Sequence, residues 1–182
     1  RLLRLQQITG GFVNTDAGIQ QHVSSAKLNL LKELLDDIID AGKKVVIFAR
    51  FLAEIKAIIK MLESMKLGYS YITGEVPNEQ RGEQVRVFQG DPDCKVFVAQ
   101  IQTAGLGITL HAADTAIFYS VDFNYANYSQ ARARIHRIGQ KNNCTYIHLI
   151  AKGTIDEHVL QALQRKEDVA KIVVDNWRIY FE

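Results

Sequence analysis

The sequence predicts an α/β domain built on a mainly parallel sheet with helices on both faces. Three observations carry that expectation. Short apolar runs recur at residues 45–48, 69–72, 96–98, 116–119 and 146–150 without the apolar/polar alternation of a half-exposed strand, the habit of strands buried on both faces. Amphipathic helical patterns fill the gaps between them. Turn and capping residues fall at the junctions, so local and global signals agree.

Taken in order, residues 1–23 read as a connector: a helix followed by a Gly10-Gly11 turn. Leu28, Leu31, Leu34, Leu35, Ile38 and Ile39 then form one apolar stripe, and Leu52, Ile55, Ile58, Ile59, Leu62 and Met65 a second, on either side of the first strand. Pro77 suits the first turn of the next helix. A helix is expected over 124–138, stopped by Gly139. Thr154 with Glu157 makes a capping box ahead of Val159, Leu160 and Leu163, and residues 169–182 read as a C-terminal helical extension. The compact domain is therefore placed at 24–168. In such a sheet ligands bind beyond the carboxyl ends of the strands, so chemistry is expected after residues 48, 72, 99 and 119.

Composition sets the limits. The 182 residues suffice for one domain with a real core, and 47% hydrophobic with 23% charged residues excludes the disordered and fibrous classes. A net charge of +2 neither demands nor excludes a nucleic-acid partner, because only clustered charge makes an electrostatic footprint. Cys94 and Cys144 form no disulfide framework, which favours a reducing, intracellular location: cytoplasm or nucleoid in a prokaryote or phage, nucleus in a eukaryote. No apolar run reaches the length of a membrane span, so no membrane partner is expected. The chain lacks an initiator Met and a signal peptide, and is expected to be cut from a longer one. His22, His111, His136, His148 and His158 have no carboxylate or Cys at ligand spacing, so no metal site is expected. Lys43, Lys44 and the lysines of 60–66 read most simply as solvated faces, with a basic rim tracking phosphates as the alternative.

The strongest chemical signal is the run QARARIHRIGQ at 130–140. On a helix through 138, Gln130, Arg134 and Arg137 fall at i, i+4 and i+7, one stripe, with Gln140 just past its end. No Asp or Glu occurs in 125–140 to balance the three arginines, and a planar guanidinium fork grips phosphate oxygens well. Such unbalanced charge points to an outside anion.

Here the sequence resembles a family. The pattern Q-x-x-x-R-x-x-R-x-G-Q is similar to the sixth motif of superfamily-two helicases, in the form found in Swi/Snf-type translocases. VVIFARF at 45–51 resembles the fourth motif, YITG at 71–74 with Arg81 and Phe88 the following segment, and GLGITLHAAD at 105–114 the fifth. SAKL at 25–28 and TIDE at 154–157 fall where the family opens and closes its second lobe. The resemblance implies a three-layer RecA-like domain, related to P-loop NTPases. It makes Arg137 the arginine finger reaching the γ-phosphate, Arg134 a second phosphate contact, and Gln130 a helper that senses the nucleotide. Gly105 and Gly107 would let backbone approach the nucleotide. Duplex DNA phosphates would be met by Arg50, Thr73 and Arg81, and by Gln100, Gln102 and Thr103, which occupy the place of the family's Ser-Thr-Arg-Ala-Gly-Gly run. DFNY at 122–125 replaces the usual Asp-Trp-Asn-Pro.

A phosphate-binding loop and an acidic Mg²⁺ box are absent: Gly42-Lys43 is followed by Lys44 and precedes a strand. Asp156-Glu157 sits in a capping sequence, where acids favour the helix dipole. Gly105-Leu-Gly107 lacks the third glycine of a dinucleotide site. The resemblance therefore implies half an enzyme, with ATP and Mg²⁺ held mainly by an N-terminal RecA-like lobe of the same polypeptide and DNA across both. An RNA helicase lobe and a non-catalytic nucleic-acid scaffold are the alternatives.

Overall fold

The computed structural model describes residues 2–14 and 20–181, and their side chains except those of 104–106 and 171–181. Five strands, β3 (Val45–Ala49), β4 (Gly68–Ile72), β5 (Cys94–Gln100), β6 (Thr115–Phe118) and β7 (Thr145–His148), form one parallel sheet in the order β4-β5-β3-β6-β7. The pairing is in register from Val45 opposite Val96 and Thr115. All five strands lie on predicted apolar runs.

Alternation along the central strands divides the core in two. Val45, Ile47, Val96, Val98, Ile117 and Tyr119 point to one face and meet Leu31, Leu35, Ile55, Ile58 and Leu62 of α2 (Ala26–Asp40) and α3 (Leu52–Ser64). Val46, Phe48, Phe97, Ala99, Ala116 and Phe118 point to the other. There they meet Phe88 of α4 (Asn78–Gly90), Tyr128 and Ala131 of α5 (Tyr125–Arg132), and Val159 and Leu163 of α6 (Ile155–Phe181). Burial on both faces is why the runs are continuous rather than alternating. The α6 helix passes residue 168 without a break, so the predicted extension is the same helix.

The segment predicted to be a connector packs against the domain. It comprises α1 (Leu2–Thr9) and an antiparallel hairpin, β1 (Phe12–Asn14) with β2 (Gln20–His22), that no sequence pattern announced. Gln6 donates to the Val121 carbonyl at 3.3 Å, and the Tyr119 hydroxyl donates to the Gly10 carbonyl at 3.2 Å. A Cβ on Gly10 would strike the Glu54 carboxylate, and Gly11 has φ +95° against the Ser24 carbonyl. The Gly-Gly pair is thus needed for close approach and a left-handed turn.

Two expectations are corrected. Asp156 does more than favour the helix dipole. It accepts from Ala151 N at 3.0 Å, pairs with Lys27 at 2.6 Å and accepts from Thr9 at 2.7 Å, joining α1, α2 and α6. Lys44 is not a solvated side chain. Its Nζ donates to the Phe88 and Asp91 carbonyls, both at 2.6 Å, at the carboxyl end of α4, where a cation suits the helix dipole, and burial holds its pKa below the ordinary lysine value.

Candidate functional site

Two groups of predicted residues lie along the loops at the carboxyl ends of the strands. In the first, α5 does not run to 138 as expected: it ends at Arg132. Arg134 N turns to the Ala131 carbonyl at 3.1 Å, and the Arg134 carbonyl accepts from Leu110 N at 2.9 Å instead of extending the helix. The stripe of Gln130, Arg134 and Arg137 therefore does not exist. Gln130 stands exposed on α5, and no hydrogen bond joins it to either guanidinium. Arg134 and Arg137 nevertheless converge, because turns following α5 bring both onto the segment after the 3-10 turn Ile101–Leu106.

Arg137 Nη1 donates to the Gly107 carbonyl at 3.0 Å, the Ile108 carbonyl at 3.3 Å and Thr109 Oγ1 at 3.2 Å. Gly107 has φ +73°, a left-handed conformation that favours glycine at this turn. Arg134 donates through Nη1 to the Ile108 carbonyl at 3.3 Å. It is 8% exposed, and its Nε is buried without a partner. Burial first, then the neighbouring Arg137 charge, pulls its pKa below the ordinary arginine value. Among the described residues neither guanidinium meets a carboxylate, and the two charges repel. Arg132 differs from the expectation: Glu167 of α6 pairs with it at 2.9 Å, and its guanidinium lies over the Tyr146 ring at 4.8 Å. The turn carrying Arg137 is fixed by Gln140, whose Nε2 donates to the Ala113 carbonyl at 2.8 Å and the Ile135 carbonyl at 3.2 Å. Beside it, His136, Arg137 and Ile138 line an open depression. Gly105 lies in the 3-10 turn, within the stretch whose side-chain surroundings are not described.

In the second group, Gln100 joins three loops: its Oε1 accepts from Gly74 N at 2.9 Å and its Nε2 donates to the Arg50 carbonyl at 3.3 Å. Arg81 donates to the Val76 carbonyl at 2.8 Å and the Thr73 carbonyl at 3.4 Å, bracing the loop after β4. Thr73 and Thr103 are buried, and the Thr103 hydroxyl donates to the Gln100 carbonyl at 2.6 Å. Arg50 and Gln102 line a cavity of about 380 Å³ with Phe12, Phe51, Leu52 and Gln100.

Glu54, which the sequence reading passed over, lies beneath this cavity. It is 1% exposed; Oε2 accepts from Arg50 N at 3.2 Å, Phe51 N at 3.1 Å and the Ser120 hydroxyl, while Oε1 is buried without a partner. Burial pushes its carboxyl up to about 6 against these bonds. A signal was present: Glu54 precedes Ile58 by four residues, on the inward stripe of α3.

Residues 26–139 match the helicase conserved C-terminal domain. The chain belongs to that family. This helicase C-terminal domain is 37% identical over 152 residues to the chromatin-remodeling ATPase INO80 of Cryptococcus neoformans, and 34% identical over 152 residues to that of Candida albicans. Each alignment covers 84% of this chain, but only 9% and 11% of those proteins. The chain thus spans about a tenth of the length of these curated relatives. The crystal structure of the C-terminal part of the Fun30 ATPase domain superposes with a TM-score of 0.72 at 29% identity, covering 75% of this chain and 44% of that one. The five-stranded parallel sheet with flanking helices is the RecA-like fold, as the sequence predicted.

Proposed function

We propose that this domain is the second motor lobe of an ATP-driven translocase acting on duplex DNA. The observation that carries the reading is the Arg134–Arg137 pair: two guanidiniums, one buried with an unpartnered Nε, and no carboxylate beside them among the described residues. A buried cation without a counter-ion is costly in a folded chain, and an anionic ligand offsets that cost. A polyphosphate fits this donor set, because guanidinium forks match phosphate oxygens.

The lobe supplies cations and no phosphate loop. ATP, with its Mg²⁺, is held mainly by an N-terminal RecA-like lobe of the same polypeptide, to which residues 1–23 lead. When the lobes close, Arg137 reaches the γ-phosphate and Arg134 a neighbouring oxygen, neutralising the charge that develops on phosphoryl transfer. Opening after hydrolysis lets alternating grips advance the motor along DNA. The loops of Arg50, Arg81, Gln100 and Gln102, with the buried Thr73 and Thr103 behind them, form the DNA-facing rim, gripping phosphates rather than reading bases. The chromatin-remodeling ATPases among the relatives support duplex DNA as the substrate and, in a eukaryotic source, a nuclear site of action.

The test is DNA-stimulated ATP hydrolysis by the full-length protein carrying Arg137→Ala or Arg137→Lys, the latter keeping charge but losing the fork. Both variants are expected to lose about 10³- to 10⁵-fold in turnover while still binding ATP. Unchanged turnover removes the arginine-finger role and, with it, the motor reading.

A further inference from the structure

The helix α1 is built the wrong way round for a helix held only by apolar packing. Leu2, Leu3, Leu5 and Ile8 are exposed, whereas Gln6 is 6% exposed. An apolar side chain is the ordinary choice at a buried docking position, since an amide there must find partners for both ends. Gln6 has them. Its Nε2 donates to the Val121 carbonyl at 3.3 Å, and its Oε1 accepts a close hydrogen bond from Arg50 Nη1.

Arg50 follows β3 and lines the cavity with Gln100 and Gln102. Its guanidinium lies over the Phe51 ring at 5.0 Å, and its Nε faces the Asp122 carboxylate at 3.9 Å, too long for a good hydrogen bond. Arg50 Nη2 donates no hydrogen bond to the described residues. Among the described residues Gln6 is thus the hydrogen-bond acceptor of this guanidinium, beside the longer ion pair to Asp122. Thr9 bonded to Asp156, and Gly10 bonded to Tyr119, hold the end of α1 in place.

We infer that Gln6 is a positioning residue for Arg50, making α1 part of the DNA grip. The inference rests on the reading of Arg50 as a phosphate contact. With Gln6 in place, the guanidinium is held with Nη1 spent on the amide and Nη2 left for a phosphate oxygen. The segment that carries α1 and the surface proposed to hold DNA thus meet at the Gln6 side chain.

The experiment measures ATP hydrolysis by the full-length protein against duplex DNA concentration for wild type, Gln6→Met, Gln6→Glu, Arg50→Ala and the Gln6→Met/Arg50→Ala pair. Gln6→Met keeps length and removes both bonds; it is expected to raise the DNA concentration for half-maximal stimulation about tenfold with turnover at saturating DNA near wild type. Gln6→Glu keeps the acceptor for Arg50 but loses the donor to the Val121 carbonyl, and is expected to fall between wild type and Gln6→Met. In the Arg50→Ala background, Gln6→Met is expected to add nothing further, the signature of one shared interaction. Additive effects, or a Gln6→Glu variant as weak as Gln6→Met, overturn the positioning role while leaving Arg50 a DNA contact. An Arg50→Ala variant with unaltered DNA dependence removes the DNA-contact reading itself.

Discussion

Two buried titrating groups pull the stability of this domain in opposite directions as pH changes, and Glu54→Gln separates them. Burial raises the Glu54 carboxyl from 4.5 to about 6. A raised folded pKa gives stability that is complete below pH 4.5 and lost as pH rises through 6, a loss of about 2 kcal/mol. His148 on β7 behaves oppositely. It stacks on Phe118 at 4.9 Å and shares a hydrogen bond with the Tyr128 hydroxyl at 3.0 Å; burial first, then the Arg132 charge, lowers it from 6.5 to about 4. Its stability is complete above pH 6.5 and falls by about 3 kcal/mol as pH drops through 4. Between pH 4.5 and 6 the folded state holds one extra proton on Glu54 and one fewer on His148, so these two contributions cancel. Glu54→Gln removes the first and leaves the second. Urea unfolding followed by circular dichroism from pH 4 to 7.5 is expected to show the variant gaining about 1.4 kcal/mol per pH unit relative to wild type between pH 4.5 and 6. A variant profile parallel to wild type over that interval would falsify the assignment of Glu54 as a carboxyl titrating near 6.

Other perturbations probe the remaining contacts. His148→Phe is the complementary change: relative to wild type its stability is expected to fall with rising pH by about 1.4 kcal/mol per unit over pH 4.5 to 6, in the same urea titration. Arg134→Met removes a buried cation that has no carboxylate, so urea unfolding of the domain is expected to show equal or greater stability, by about 1 kcal/mol, while ATP hydrolysis by the full-length protein falls at least about a hundredfold. A loss of several kcal/mol instead would mean that its bond to Ile108 outweighs the desolvated charge. Asp156→Ala leaves buried Lys27 without its counter-ion and is expected to cost about 3 kcal/mol; combining Lys27→Met with Asp156→Leu is expected to return part of it, because the bonds from Thr9 and Ala151 stay lost. Gly139 has φ +102° and lies against the His111 ring; Gly139→Ala is expected to lose about 1 kcal/mol in thermal or urea unfolding, together with activity, because it distorts the turn that carries Arg137.

The residues legible in the sequence are those whose signal is local. Continuous strands and the α2 and α3 stripes were readable because apolar periodicity reports burial within one element, and both faces of this sheet are covered. What escaped has partners elsewhere in the chain: Gln6 bonds Val121, Thr9 bonds Asp156, Lys27 pairs with Asp156 and Arg132 with Glu167. Such pairs leave no periodic trace, and the acid that balances Arg132 lies outside the window in which the motif was read. The arginine motif departs from the helix that its spacing predicts. Spacing of i+3 between Arg134 and Arg137 suits a helix stripe, yet the Arg134 carbonyl is claimed by Leu110 N, so the two guanidiniums meet on the Gly107–Thr109 backbone instead. That difference bears on function. A stripe on an exposed helix would leave both arginines solvated and free to swing. Turns clamped by Gln140 hold one of them buried and the other on a fixed carbonyl platform. Electrostatic stabilisation of a developing charge depends on donors already oriented before the reaction; in the proposed motor role, the broken helix supplies the orientation that an unbroken one would lack.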